Sequence, residues 1–242
     1  MLKKLYKIKN VWYNEFMKKY FLENGITITD YQEEQFNKYK ELLKEYNEKF
    51  NITAITDDEE IIKKHFVDSA IGAKYVKGKM LDVGSGGGFP AIPIKIINPD
   101  VEVTMLEATE KKCTFLNVVI NELKLEKISV LNGRAEELSK NPKYRESFDT
   151  CTARAVARLN TLSEYCIPFI KKGGNFVALK GDAEEEIKES FNAFNLLGGK
   201  LKESIFYNLY DYNRCIVIVE KIKNTPEKYP RGRGKERKSP LW

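Results

Sequence analysis

The strongest candidate for chemistry in this sequence is a glycine-rich loop between a short apolar run and an apolar helical pattern. Residues 81–90 read LDVGSGGGFP. Glycines let the backbone turn tightly and let a ligand approach it closely. A dinucleotide fingerprint needs a third glycine where Phe89 stands, and no Gly-Lys-Ser/Thr follows for a Walker A loop. The remaining pattern, D-x-G-x-G-x-G, predicts a loop for S-adenosylmethionine (AdoMet), with Gly84 and Gly86 against the cofactor.

Acidic residues follow the next two predicted strands. Glu107 comes directly after the apolar run at 101–106 and roughly 20 residues after Gly84, the spacing at which a carboxylate accepts both ribose hydroxyls of a nucleotide. Glu136 follows the strand predicted at 128–131, where its side chain is expected to reach the adenine amino group. We therefore predict that Glu107 and Glu136 bind the adenosine part of the cofactor.

Cations follow the fourth and fifth predicted strands. Arg154 and Arg158 come after the run at 148–153, and Lys180 comes after the run at 175–179. Ligands of open α/β sheets bind at the carboxyl ends of the strands. These three side chains therefore predict a cationic rim beside the cofactor cleft, on the substrate side.

Two hydrophobic periodicities define the elements that must position these residues. The first 75 residues have helical spacing, with a capping box at Thr29 and Gln32 and a buried stripe through Ile62, Phe66, Ala70 and Ala73. A less regular helix is expected at 11–23. After Gly78, short apolar runs alternate with amphipathic helices expected at 90–97, 110–123, 159–170 and 182–197, the last two closed by Gly173-Gly174 and by Gly198-Gly199.

The alternation predicts a mostly parallel, seven-stranded sheet with helices on both faces. The last two strands, at 201–209 and 215–221, have no helix between them, so they are expected to pair as an antiparallel hairpin. This is the Rossmann-like layout of a class I AdoMet-dependent methyltransferase. The predicted organisation is an N-terminal helical extension (1–77), the methyltransferase domain (78–224) and a flexible basic tail (225–242).

Composition excludes several other classes of protein. The chain has 242 residues, 42% of them hydrophobic and 31% charged, as in ordinary globular domains. No apolar run approaches the roughly 18 residues of a membrane-spanning helix. Residues 1–10 lack the apolar stretch of a signal peptide, so we expect a cytoplasmic protein. There are four cysteines without a CxxC pair and a single histidine, His65, so we expect no metal site.

Basic residues are concentrated at the two ends of the chain. The net charge is +6, yet residues 1–20 hold six Lys and one Glu, and residues 221–242 hold eight Lys or Arg and two Glu. The intervening segment is therefore mildly acidic. Basic segments of this kind either bind polyanions or remain solvated, and charge alone does not separate the two. If the tail contacts phosphates, its deletion is expected to weaken RNA binding and leave AdoMet binding intact.

Several motifs together resemble the RsmG (GidB) family of bacterial methyltransferases, which methylate N7 of a guanine in the 530 loop of 16S ribosomal RNA. Besides the glycine loop, the resemblance includes the segments FNITAI (50–55), HFVDS (65–69), GRAEE (133–137), RAVA (154–157), ALKG (178–181) and YPR (229–231). It covers nearly the whole chain. One departure is Ala91, where the family usually has glycine after Phe-Pro.

The resemblance implies AdoMet as cofactor, with contacts at Gly84, Phe89, Ala135, Glu136 and Arg154. It also implies 16S rRNA or the 30S subunit as substrate, without deciding between them, and position 527 as the target. Independently of the resemblance, we expect a monomer. It supplies no general base, and guanine N7 has a free lone pair and no proton to lose, so positioning and electrostatics are expected to suffice.

The substrate-side candidates are therefore Arg154, Arg158, Lys180 and His65. For His65 we expect a core or interhelix position, and contact with the guanine or with RNA is the alternative. Two other functions remain open at this point. One is an AdoMet methyltransferase acting on another RNA, on a protein or on a small molecule. The other is an RNA-binding protein without catalysis. The intact glycine loop and Glu107 disfavour the second, and the basic ends disfavour a small neutral substrate.

Overall fold

The structure is a computed structural model that describes residues 17–242. The predicted helix at 11–23 is described only from residue 17, and 17–23 are helical (α1). Residues 1–16, which carry most of the N-terminal basic segment, lie outside the described range.

The described elements alternate strands and helices after two long N-terminal helical segments. The helices are α2 (Asp30–Phe50), α4 (Ala91–Ile97), α5 (Glu110–Glu122), α6 (Ala135–Leu138), α7 (Leu159–Cys166), α8 (Glu184–Leu197) and α9 (Lys235–Lys238). The segment α3 comprises four consecutive parts: Asp58–Ile61 (α), Ile62–Val67 (π), Asp68–Ile71 (α) and Gly72–Tyr75 (3-10). The strands are β1 (Lys79–Val83), β2 (Glu102–Glu107), β3 (Ile128–Asn132), β4 (Phe148–Arg154), β5 (Ile170–Lys180), β6 (Gly199–Leu209) and β7 (Tyr212–Lys221).

The seven strands form one sheet in the order β3-β2-β1-β4-β5-β7-β6. The first five are parallel, whereas β7 runs antiparallel to both β5 and β6. The predicted sheet and its C-terminal hairpin are therefore confirmed. The chain connects β1 to β2 on one side and returns to β4 on the other, which places a topological switch point between β1 and β4. Ligand sites of such sheets lie at this point.

Apolar side chains of the strands alternate between the two faces of the sheet. Met80 packs into a core with α1, α2, α3, α4 and α5, whereas the next residue, Leu81, packs into a core with α7 and α8. The N-terminal helices thus share one core with the first face of the sheet. The predicted stripe of α3 and the capping box of α2, in which Thr29 Oγ1 accepts from the amide of Gln32, are both confirmed.

The glycine pair Gly173-Gly174 was expected to close a helix, and this prediction is wrong. The helix α7 ends at Cys166 and continues as a 3-10 turn (Ile167–Phe169), whereas both glycines lie inside β5. A Cβ at Gly174 would lie 2.5 Å from the carbonyl oxygen of Asp149 on β4, so the glycine permits close strand contact. In contrast, Gly198 ends α8 in the left-handed conformation with φ +84°, as predicted.

The C-terminal residues were expected to form a flexible tail, and this prediction is also wrong. Tyr229 and Leu241 are buried in the same core as α7 and α8, and Glu236 is fully buried. The composition of the segment is polar, but a few apolar and acidic side chains placed on an existing core are sufficient to hold it. Only contacts made across the fold determine this arrangement.

Candidate active site

The glycine loop lies at the carboxyl end of β1, beside the switch point. Gly84, Gly86 and Gly88 all have positive φ, between +56° and +94°, a region that favours glycine. A Cβ on Gly84 would lie 2.8 Å from the side chain of Val156, which follows β4. A side chain at this position would therefore meet the neighbouring strand end. A Cβ on Gly86 would have a single neighbouring atom within 4 Å, the carbonyl oxygen of Gly84 at 3.8 Å.

A pocket of about 650 Å³ opens beside this loop. We call it the cofactor pocket; it is lined by Val83, Gly84, Leu106, Ala108, Gly133, Arg134, Ala135, Glu136, Glu137, Lys140, Val156, Tyr165, Arg231, Gly232, Arg233, Gly234 and Arg237. Three of the predicted cofactor residues, Gly84, Ala135 and Glu136, line it directly. The structure thus brings together the ends of β1, β2 and β3, as the sequence predicted.

Two buried acidic side chains lie next to the glycine loop, at the carboxyl ends of β1 and β2. Glu107 accepts hydrogen bonds from the amides of Gly86 (2.9 Å) and Thr109 (2.8 Å), so it fixes the loop as well as ending β2. Asp82 accepts from the hydroxyl of Thr152 at 2.8 Å through Oδ1. Its Oδ2 is buried and has no hydrogen-bond partner among the described residues. Burial raises the pKa of Asp82 to about 7.

These features fit a nucleoside cofactor such as AdoMet. The glycine backbone at Gly84 borders the pocket, and Glu136 and Glu137, which follow β3, line it where carboxylates can accept hydrogen bonds from a nucleoside. Phe89 packs between the loop and α3, with its ring stacked on the His65 ring at 4.4 Å between centroids. Leu106 and Ala108 line the pocket, whereas the carboxylate of Glu107 between them accepts a hydrogen bond from the Gly86 amide. The role of Glu107 as acceptor for the ribose hydroxyls therefore remains a prediction.

A second, smaller pocket lies on the other side of the β4 turn. We call it the charged pocket; its volume is about 320 Å³, and it is lined by Ile55, Lys64, His65, Asp68, Arg154, Ala155, Leu179, Lys180, Gly181 and Arg214. Three of the four substrate-side candidates, Arg154, Lys180 and His65, are therefore adjacent. The fourth, Arg158, lies outside this lining: it forms an ion pair with Glu189 on α8, and its side chain is 55% exposed.

Arg154 is the centre of a buried hydrogen-bond network. Its guanidinium donates to Asp68 (3.2 Å), to the carbonyl of Lys64 (2.8 Å) and to His65 Nδ1 (3.0 Å), and its side chain is only 13% exposed. The same guanidinium lies 4.9 Å from the centroid of the Phe89 ring. Arg154 therefore joins α3, the end of β4 and the glycine loop.

The partners of His65 fix its tautomer. Arginine only donates hydrogen bonds, so Nδ1 of His65 accepts and its Nε2 carries the proton, which is donated to Thr53 Oγ1 at 2.8 Å. Burial, with the nearby positive charge of Arg154, lowers the pKa of His65 to about 3. The ring is thus neutral and lies in the π-helical part of α3, a conformation common at functional sites.

Residues that sequence reasoning did not assign to the site complete this network. Asp68 also accepts from Arg214 on β7 at 3.0 Å, so one carboxylate joins two guanidinium groups. The sequence could have indicated Asp68, because it belongs to the HFVDS segment. No sequence pattern indicated Arg214, because a lone arginine before an apolar strand is not informative. Lys180 is tied down as well, donating to the carbonyl of Ala157 (3.0 Å) and pairing with Glu186 (2.8 Å).

The turn after β4 borders both pockets. Ala155 lines the charged pocket, and the next residue, Val156, lines the cofactor pocket. Ala155 has φ +56°, an uncommon conformation for a residue with a side chain. Such strain persists only where surrounding structure enforces it, and it is concentrated at functional sites. A single strained turn therefore separates the cofactor pocket from the charged pocket.

Comparison with known proteins identifies the family. A family model described as rRNA small subunit methyltransferase G matches residues 32–209. The chain belongs to the rRNA small subunit methyltransferase G family. Two relatives carry the name Ribosomal RNA small subunit methyltransferase G. That of Acetivibrio thermocellus is 47% identical over 90% of this chain and 92% of the relative, and that of Clostridium perfringens is 46% identical over 95% and 99%.

Solved structures support the fold. A SAM-dependent methyltransferase from Aquifex aeolicus covers 70% of this chain and 97% of its own length, with a TM-score of 0.53 and 16% identity. A SAM-dependent O-methyltransferase from Thermotoga maritima covers 76% and 72%, with a TM-score of 0.52 and 14% identity. Together with the family assignment, these likenesses confirm the expected class: an AdoMet-dependent methyltransferase with a Rossmann-like sheet.

Three further observations concern the described part of the chain. Between residues 17 and 242, no helix has the length and apolar character that a membrane crossing requires. Within the same range, no group of three or more His, Cys, Asp or Glu side chains is placed to hold a metal ion. The four cysteines are all buried and reduced.

Proposed function

We propose that this chain transfers a methyl group from AdoMet to N7 of a guanine in the 530 loop of 16S rRNA, at the position numbered 527. The family assignment supports the class of reaction and of RNA. The observation that carries the proposal in this molecule is the shared β4 turn. A cofactor in one pocket and a base in the other would meet across Ala155 and Val156.

The residues around the two pockets suit transfer without a general base. When bound, AdoMet supplies a methyl group on a positively charged sulfur. Guanine N7 presents a lone pair and loses no proton, so the protein has only to align the two groups and to tolerate charge that moves onto the purine. His65 is neutral and hydrogen-bonded at both ring nitrogens, so it orients Arg154 instead of exchanging protons.

The proposed binding roles follow the geometry. Gly84, Gly86, Phe89, Glu107, Ala135 and Glu136 form and support the cofactor side. Arg154 lies between the two sides through its contact with the Phe89 ring. Lys180 and Arg214 give the charged pocket its positive charge and would face the base or its phosphate. We also propose that the enzyme acts as a cytoplasmic monomer on 16S rRNA or on the 30S subunit.

Tritiated methyl transfer from AdoMet to three acceptors tests the proposal. Naked 16S rRNA, 30S subunits and total cell protein are incubated separately with the enzyme, and the modified guanines are mapped by cleavage at N7-methylguanosine followed by primer extension. We expect label in rRNA at one guanine of the 530 loop. Label in protein, or in rRNA at a different base, would contradict the proposal. The absence of label from every acceptor, despite AdoMet binding, would favour the alternative without catalysis.

A further inference from the structure

The segment after β7 is anchored to the rest of the fold at its beginning. The guanidinium of Arg145 donates hydrogen bonds to four carbonyl groups, three of them in this segment: Ser139 (3.2 Å), Thr225 (2.8 Å), Pro226 (3.3 Å) and Tyr229 (3.0 Å). The buried Lys221 adds a hydrogen bond to Thr225 Oγ1 at 2.6 Å. The chain is thereby directed back across α7 toward the cofactor pocket.

A buried ion pair then fixes the segment to α7. Glu164 is fully buried, and Arg231 binds both of its carboxylate oxygens, with Nε at 3.0 Å from Oε1 and Nη2 at 2.7 Å from Oε2. The backbone amide of Arg231 also donates to Glu164, at 2.8 Å. Bidentate pairing of this kind specifies geometry as well as charge. The next residue on α7, Tyr165, lines the cofactor pocket.

A second buried carboxylate closes the loop that follows. Glu236 is fully buried, and its Oε1 accepts from the amide of Gly232. Its backbone carbonyl accepts from Thr161 Oγ1 of α7 at 2.9 Å. Burying a carboxylate is costly unless partners compensate. Arg231 pairs with both oxygens of Glu164, whereas Oε2 of Glu236 has no hydrogen-bond partner among the described residues. Two carboxylates removed from water around one short loop indicate that the loop has a defined position and is not a solvated surface segment.

The loop held in this way faces the cofactor pocket. Arg231, Gly232, Arg233, Gly234 and Arg237 line it together with the glycine loop and the residues after β3. We propose that residues 231–237 form a wall of the AdoMet pocket and that Arg231, acting through Glu164, is a positioning residue for cofactor binding. This inference rests on the proposed function in that AdoMet is the ligand. It reverses the expectation that removing the tail leaves AdoMet binding intact.

Calorimetry with AdoMet tests the wall in the full-length protein. Arg231→Ala breaks the pair with Glu164, and we expect its dissociation constant for AdoMet to rise about tenfold or more, because the pocket loses a preorganised side. Arg231→Lys keeps a cation beside Glu164 and is expected to recover part of the affinity. Lys238→Ala removes an exposed cation from the same segment, outside the pocket lining, and is expected to bind AdoMet as the wild type does.

Kinetics separates positioning from a general loss of structure. In rRNA methylation by Arg231→Ala, KM for AdoMet should rise while kcat at saturating AdoMet changes much less, since the wall acts on binding. An unchanged dissociation constant in a folded Arg231→Ala protein would overturn the inference. If the wild type itself does not bind AdoMet, the proposed function fails instead, so the two failures are distinguishable.

Hydrogen exchange of the wild type keeps the inference testable if Arg231→Ala does not fold. Amide exchange is measured by mass spectrometry with and without AdoMet. We expect slower exchange on binding both in the loop at 84–88 and in residues 231–237. Slower exchange in the glycine loop with unchanged exchange at 231–237 would contradict the proposal that these residues form a wall of the pocket.

Discussion

The two pockets differ in what lines them. Where the strands end, the cofactor pocket is bordered mainly by small or apolar residues, so its shape depends on close approach of the main chain; these are Val83, Gly84, Leu106, Ala108, Gly133, Ala135 and Val156. The charged pocket is bordered by His65, Asp68, Arg154, Lys180 and Arg214, most of which already bind one another. The two pockets meet at the turn after β4, where Ala155 lines the charged pocket and Val156 lines the cofactor pocket.

The difference predicts which kind of substitution is damaging in each pocket. In the cofactor pocket, added atoms are damaging, because small residues leave room for a ligand. In the charged pocket, removed atoms are damaging, because each side chain satisfies another. Substitutions that add bulk in the cofactor pocket, and substitutions that delete charge in the charged pocket, therefore test this difference.

The largest effect is expected at Gly84. Gly84→Val places a β-branched side chain at φ +72° and brings its Cβ within 2.8 Å of Val156. We expect AdoMet affinity to fall by about 100-fold or more, because the side chain occupies space where the ligand meets the backbone. The control is Gly173→Val, which introduces a similar strained φ of +86° with no atom within 4 Å. Calorimetry on both folded variants decides, and equal affinities would remove Gly84 from the site.

A second effect concerns Arg154 compared with Arg158. Arg154→Ala leaves Asp68 and His65 with an unmet partner in a buried site, so we expect a loss of about 3–5 kcal/mol in unfolding free energy, at the lower end because Arg214 remains on Asp68. Arg158→Ala removes an exposed ion pair and should cost less than about 1 kcal/mol.

Urea titration measures both variants, and methylation assays follow under conditions where each is folded. Arg154→Ala should also abolish most rRNA methylation. Near-normal turnover in a destabilised Arg154→Ala protein would restrict this residue to a structural role.

A third, smaller effect is the pH dependence introduced by His65. Its pKa is about 3 in the native state and near 6.5 when exposed, so between these values the unfolded chain binds one more proton. The stabilisation is complete above about pH 6.5 and is lost as the pH falls toward 3. His65→Gln cannot titrate, so its unfolding free energy should fall less steeply with acidification, by about 1.4 kcal/mol per pH unit within this window. Parallel slopes for the two proteins would show that His65 is protonated in the native state.

The smallest effect concerns the exposed cations of the C-terminal segment. Deleting the segment would also remove buried Tyr229 and Leu241, so it no longer isolates phosphate contacts. Replacing Lys223, Lys228 and Lys238 by Gln leaves both the buried anchors and the proposed wall at 231–237 in place. Each lost phosphate contact should reduce the slope of log K against log salt by roughly 0.7–0.9 in rRNA binding. An unchanged slope would mean that these charges are only solvated.

The sequence alone determined the sheet and its cofactor side. Local patterns are sufficient there, since the strand alternation, the Asp82–Phe89 loop, Glu107 at the end of β2 and Glu136 after β3 all lie within short segments. The predicted end of a helix was wrong where a contact between distant parts of the chain determines the local structure. Gly173-Gly174 resembled a helix end, whereas Gly174 serves the approach of β4 to β5. The π-helical part of α3 had no signal in the periodicity.

Tertiary structure decided the charged pocket and the C-terminal wall. Asp68 and Arg214 are distant in the chain and become partners only because β7 lies next to β5 in the sheet. Glu164 and Arg231 meet only because the segment after β7 returns over α7. A buried ion pair depends on which charges the fold excludes from water together, and composition shows their number but not their pairing. Periodicity therefore predicted the scaffold, whereas the charge network required the packed fold.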